Sequence, residues 1–241
     1  MLPCCVGWEN RFPQKNLNLL QSYEEEDTKT GKKSIGSHCE PNAIIKAVEC
    51  LSAEAKDFVK DCGFGGILEI NVTKFCSIET IVVMMDKYDV SSDDESFTIV
   101  ISNENQIKVT SVVQRILGIP TGDLLMDDEN WSKEYYNFWK VLKDKGYDVV
   151  SRVKSKGKMQ DNKKLPYREL LRYIKSAKDK CEQAHAFFYI VLCKLLLPTA
   201  SNVPTVQHVG MCSCIDSMKK YNWCRYVCQD LKNKITASKK G

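Results

Sequence analysis

The chain has 241 residues, 43% hydrophobic and 27% charged, and its 35 basic and 31 acidic side chains leave a formal charge of +4. A chain of this length buries enough apolar surface to fold without a covalent or metal staple, and the composition excludes a disordered, a fibrous or a membrane-spanning protein. The small net charge hides an asymmetry: residues 1–150 carry 16 basic and 25 acidic side chains, net −9, and residues 151–241 carry 19 and 6, net +13.

Residues 1–40 are polar and irregular and read as a flexible N-terminal arm. Met1–Trp8 shows no basic segment followed by an apolar run, so no secretory signal is recognisable. The twelve cysteines are therefore expected to stay reduced in an intracellular compartment. Nucleus or cytoplasm is the expected location. A mitochondrial presequence is the alternative, because Arg11 and Lys15 precede the acidic run Glu24–Asp27.

Pro41 stands at a first helical position, and Ile44, Ile45, Val48 and Leu51 then recur at helical spacing. Ser52 is placed to cap a second helix that Gly63 stops. A third is predicted after Ser77, with Ile78, Ile81, Val82, Met85 and Tyr88 on one face. Around Phe97–Ile101 and Ile107–Val109 the period changes to two, which predicts a β-hairpin. Thr110 is read as the cap of a helix over Ser111–Leu117, ended by Gly118 and Pro120. Trp131–Lys145 is a further helix, stopped at Gly146. Lys154–Lys164 is basic and contains glycine, so an exposed loop is predicted there. Pro166 opens a helix to Lys175. Asp179–Leu197 is the most apolar helix, and its uninterrupted apolar run, Ala186–Cys193, is far shorter than the ~20 residues of a membrane span. Asn222 caps Trp223–Ile235, and 237–241 are expected to form a disordered tail. The fold class is mainly α: a single helical domain over 41–236, with about seven helices and one small β-hairpin.

Several of these stretches together resemble the plant mobile domain. They are Cys62–Leu68 (Cys-Gly-Phe-Gly-Gly-Ile-Leu), Asp86–Asp89, Phe97–Ile99, Ile107–Gly122 with its Leu-Gly-Ile-Pro-Thr-Gly end, Phe187–Pro198 and Tyr221–Trp223. The plant mobile domain is a transposon-derived, aminotransferase-like plant family, also found in grasses upstream of ubiquitin-like-protease-type cysteine peptidases. The resemblance spans about residues 60–235. It implies a mostly helical domain that acts through interactions with nucleic acid or other proteins, and it brings no catalytic motif.

The residues themselves offer three sharper possibilities. His208, Asp216 and Cys224 occur in the order of a cysteine-peptidase set, but they are much too closely spaced for the ubiquitin-like-protease arrangement. His208, Cys212, Cys214, Cys224 and Cys228 are soft metal ligands, yet they lack paired Cys-x2–4-Cys knuckles. Buried thiols are the simpler account. The basic segment from Arg152 to Lys180 holds eleven basic side chains against Asp161, Glu169 and Asp179, a net +8. Such a density can bind phosphate backbones without base selection, the alternative being a solvated loop and a polar helix face. The candidate contacts are Lys154, Lys156, Lys158, Lys163, Lys164, Arg168 and Arg172. Trp131, Tyr135 and Trp139 form an aromatic stripe that is read first as core, with a partner interface as the alternative. No catalytic, cofactor or metal site is expected.

The functional expectation is a non-enzymatic, intracellular macromolecule-binding domain of transposon-derived plant type. The expected partner is a protein, with nucleic acid as a further candidate. The alternatives are a selfish or toxic effector that binds a host protein, and the remnant of a cysteine peptidase or other transposon enzyme.

Overall fold

The computed structural model describes residues 40–72, 98–102, 105–125, 131–147, 150–155, 158–163, 167–198, 205–213 and 215–240. The predicted helix after Ser77 and the N-terminal arm lie outside them. The protein is mainly helical. In chain order the helices are α1 Pro41–Cys50, α2 Ala53–Asp61, α3 Gly65–Leu68, α4 Val109–Leu117, α5 Trp131–Asp144, α6 Tyr167–Ser176, α7 Lys180–Val191, α8 Val206–Ser213 and α9 Trp223–Lys240. A π-helical turn, Leu192–Leu196, extends α7, and a 3-10 helix, Ile215–Lys220, precedes α9. Strands β1 Thr98–Ser102 and β2 Asn105–Lys108 neighbour each other in one two-stranded sheet, and β3 Val150–Ser155 and β4 Lys158–Lys163 form another.

Two compact units divide the chain. One comprises 1–37, 76–93 and 98–107, and the other 38–75, 94–97 and 108–241. The first contains β1 and most of β2. Among the described residues, the second contains α1 to α9, the hydrophobic core and β3–β4.

Local signals set most helix limits. The Ser52 side chain accepts a bond from the Ala55 N–H at 3.2 Å, and Asp179 caps α7 through the Glu182 N–H at 3.1 Å. Asn222 Oδ1 accepts from Arg225 N–H at 3.0 Å at the start of α9. Each satisfies an N–H that the helix leaves unbonded. Gly63 and Gly118 close α2 and α4 with φ of 88° and 58°. Three boundaries correct the sequence reading. Thr110 is inside the first turn of α4 and not its cap, because β2 runs directly into the helix at Val109. The C-terminal tail is helical to Lys240, supported by i,i+4 bonds such as Lys234 to Asp230 at 2.6 Å. Finally, the loop expected over Lys154–Lys164 is largely the antiparallel pair β3–β4, in register from Val150 opposite Lys163 to Ser155 opposite Lys158.

The centre of the larger unit is α7, buried from Ala186 through Val191. Over that stretch it is buried on every side because α1, α2, α6 and α8 all pack on α7. At its end the Leu197 N–H reaches back five residues to Leu192 O at 2.9 Å, giving the π turn before Pro198.

Around this helix two distant glycine-bearing segments meet a third that carries Trp223. A Cβ on Gly66 would lie 2.4 Å from Leu117 O and 2.9 Å from Gly118 Cα, and one on Gly122 would lie 2.1 Å from Lys220 O. Only glycine permits these backbone approaches. The Trp223 N–H bonds to Pro120 O at 3.1 Å, and Gly122 N–H to Tyr221 O at 3.1 Å. Phe64 stands edge-on to both Phe188 and Trp223, at centroid distances of 4.9 and 5.2 Å. Trp223 Nε1 donates to Met218 O at 2.9 Å. The 62–68, 117–122 and 221–223 segments thus form one knot of backbone contacts and rings.

Candidate functional site

The buried His208 and Cys193 of the larger unit bond to each other. His208 is 1% exposed. Its Nε2 donates to Leu197 O at 3.0 Å, which leaves Nδ1 to accept from the Thr205 N–H at 3.3 Å and from the Cys193 thiol at 3.3 Å. Burial holds His208 down to about 4 and pushes Cys193 up to about 12. Both shifts favour the neutral pair over a thiolate–imidazolium pair. Cys224 donates its thiol to Ile119 O at 3.8 Å, and burial raises it to about 11. His208 therefore faces Cys193, a pairing that the order His208, Asp216, Cys224 did not suggest. Among the described residues no three His, Cys, Asp or Glu side chains gather as a metal-ligand group.

Lys194, on the π turn, is 5% exposed. It is paired at 2.7 Å with Glu40, whose own N–H bonds to Lys194 O at 2.9 Å. This latch ties the start of α1 to the core.

The basic segment supplies the surface chemistry. β3 carries Lys154, opposite Met159, while β4 carries Lys158 opposite Ser155 and Lys163 opposite Val150. Lys156 and Lys164 lie outside the described residues. On α6, Leu170, Tyr173 and Ile174 are buried, and Arg168, Arg172 and Lys175 fall on the exposed side at helical spacing. The buried Glu169 carboxylate holds the Arg172 guanidinium at 3.1 Å and that of Arg168 at 3.8 Å. Arg172 also stacks over the Tyr147 ring, 4.6 Å from its centroid, and donates to Gly146 O at 3.3 Å. Beside it Lys145 bonds to Glu182 and to the Tyr173 hydroxyl at 3.3 Å. The Glu182 bond is the main reason the Lys145 ammonium titrates above its ordinary value.

Trp131 and Tyr135 lie on α5, but their side chains lie outside the described set. Trp139 is 2% exposed and belongs to the core, where Phe138 meets it at a centroid distance of 5.4 Å. Its burial removes it as a surface anchor. Tyr147, Glu169 and Tyr167 were not singled out by the sequence, because nothing local distinguishes a tyrosine that flanks a hairpin.

A family model described as a domain of unknown function, DUF8566, matches residues 37–241. The chain belongs to the DUF8566 family. No curated protein and no solved structure matches it. The family match to DUF8566 begins three residues before Glu40, and it includes the glycine knot, the Cys193–His208 pair and the basic surface. No helix among the described residues is long and apolar enough to cross a membrane.

Proposed function

We propose that this DUF8566 chain is a non-enzymatic macromolecule-binding domain of the transposon-derived plant type, acting in the nucleus or cytoplasm, and that its contact surface is the basic segment after residue 150. One observation carries the reading. Within the net +8 of residues 152–180, Arg152, Lys154, Lys158 and Lys163 fall on the β3–β4 pair and Arg168, Arg172 and Lys175 on the exposed side of α6, where Glu169 and Tyr147 hold arginines in place. Positioned cations of this density neutralise phosphates and release counterions. The neutral state favoured for both Cys193 and His208 supports a binding role over nucleophilic catalysis, which needs an ionised thiol.

The test is titration of the full chain with labelled nucleic acid at several salt concentrations, beside a variant carrying Lys154→Glu, Lys158→Glu and Lys163→Glu. Salt-dependent binding that the variant loses, with its circular dichroism unchanged, supports the reading. Unchanged binding, or none at any salt, rejects it.

A second reading is a protein-binding effector with no nucleic-acid role. It is favoured by Leu124 and Leu125, adjacent and 50% and 57% exposed, on a segment fixed by bonds from Leu124 N–H to Lys220 O and Asn222 N–H to Leu124 O, both 3.0 Å. Loss of a host partner from pull-downs with Leu124→Asp and Leu125→Asp supports it.

A further inference from the structure

We infer that β3–β4 is a two-stranded ribbon that enters the major groove of double-stranded DNA. This rests on the polyanion-binding reading above and adds the mode of contact and the kind of nucleic acid.

The ribbon has little to bury. Of its twelve strand residues only Val150, Val153 and Met159 are apolar, and no other described element packs extensively against it. A two-stranded hairpin is marginal by itself, and a polar one gains little by packing on a core. Its composition is that of a contact element. Strands β3 and β4 hold Arg152, Lys154, Lys158 and Lys163 against Asp161, a net +3.

Both ends of the ribbon are tied to the helical core. Tyr147, three residues before β3, is met edge-on by Tyr173 at 5.2 Å. Its hydroxyl pairs with Ser176, and Arg172 covers its ring. Tyr167, four residues after β4, is half-buried and donates its hydroxyl to Ala43 O at 2.7 Å. Tyrosine anchors at entry and exit reduce the entropy lost when the ribbon is ordered on a ligand.

The dimensions select the ligand. Six residues per strand at about 3.3 Å each give a ribbon about 20 Å long, with strands about 4.8 Å apart. The B-DNA major groove, about 12 Å wide, admits a two-stranded ribbon. At about 3.4 Å per base pair the contact covers about six pairs. The major groove of A-form RNA is too narrow and deep to be read in this way. The arginines Arg168 and Arg172 at the ribbon's base are then placed for the flanking phosphates, which position a protein without reading sequence.

The experiment measures fluorescence anisotropy of the full chain with a labelled DNA duplex, the same single strand and an RNA duplex at 50–200 mM salt, together with dimethyl sulfate footprinting of guanine N7, an atom exposed in the major groove. The expected result is tenfold or tighter binding to duplex DNA than to either alternative, with N7 protection over about six base pairs. The variant Lys154→Ala, Lys158→Ala, Lys163→Ala is expected to lower the slope of log K against log salt by about 3 and to lose the protection, with its thermal melt unchanged. Tyr147→Ala removes no charge, so it should keep most of the slope and lose protection. Equal affinity for duplex and single strand, preference for RNA, or bound duplex with unprotected N7 overturns the groove ribbon and leaves polyanion binding standing. Absence of salt-dependent binding to all three overturns both.

Discussion

Gly65 and Gly66 are adjacent in α3, yet replacing each with alanine should have opposite effects. Neither has a positive φ, so backbone strain does not separate them. A Cβ at Gly65 would meet only Lys60 Cγ, at 3.5 Å, and Lys60 Cβ, at 4.0 Å, which are ordinary contacts with a movable side chain. At Gly66 it would lie 2.4 Å from Leu117 O, under the 3.0 Å that real Cβ contacts respect. The obstacle there is backbone at the αL turn of Gly118, so relief requires moving α3 away from the end of α4. Overpacking of this kind costs about 1–3 kcal/mol, against up to about 1 kcal/mol gained from replacing a helical glycine. Gly66→Ala should thus lose a net ~1–2 kcal/mol, which lowers Tm by about 2–8 °C in a domain of this size. Gly65→Ala should be neutral or gain up to ~1 kcal/mol. Urea and thermal melts of both variants measure the difference. Equal shifts for the two, or a Gly66→Ala variant as stable as the wild type, would refute the close approach of α3 to the Leu117–Gly118 turn.

His208 makes stability depend on pH. Its imidazole titrates near 6.5 when unfolded and near 4 in the fold, so between those values the unfolded chain binds the extra proton. The stabilisation is therefore complete above about pH 6.5 and is lost as pH falls towards 4, by about 3 kcal/mol in all. Urea midpoints across that range should flatten in His208→Gln, and an unchanged pH profile counts against the buried neutral imidazole. At the α1 latch, Glu40→Ala leaves the buried Lys194 ammonium without its carboxylate. It should cost about 1–2 kcal/mol, the usual larger penalty being reduced because Glu40 is half exposed. Lys194→Met removes the charge along with its need for a partner and should cost less than Glu40→Ala in the same melts. Cys193, Cys224 and Cys228, pushed up to about 12, 11 and 12 by burial, should resist alkylation at pH 8 until the chain unfolds. Mass spectrometry of the native protein showing them labelled would contradict their burial.

The sequence by itself determined what depends on neighbours along the chain. The helical period of Ile44, Val48 and Leu51, the caps Ser52 and Asn222, and the stops Gly63 and Gly118 are read from a few residues each, because capping and turn geometry involve only local backbone. The apolar run into Leu197 marked the central helix for the same reason. Tertiary structure decided what depends on partners far along the chain. Val150–Lys163 carries no clean alternation, so its strands emerge only from their pairing. The same holds for His208, which meets Cys193 and not Cys224, and for Trp139, which the packing turns inward. Gly65 and Gly66 look alike in the sequence, and only the approach of Leu117, fifty residues away, makes one of them irreplaceable. The asymmetry of −9 and +13 was visible from the residues alone. Which of those cations are held in place was settled by Glu169 and Tyr147, because an ion pair or a ring stack requires side chains that only folding brings within reach.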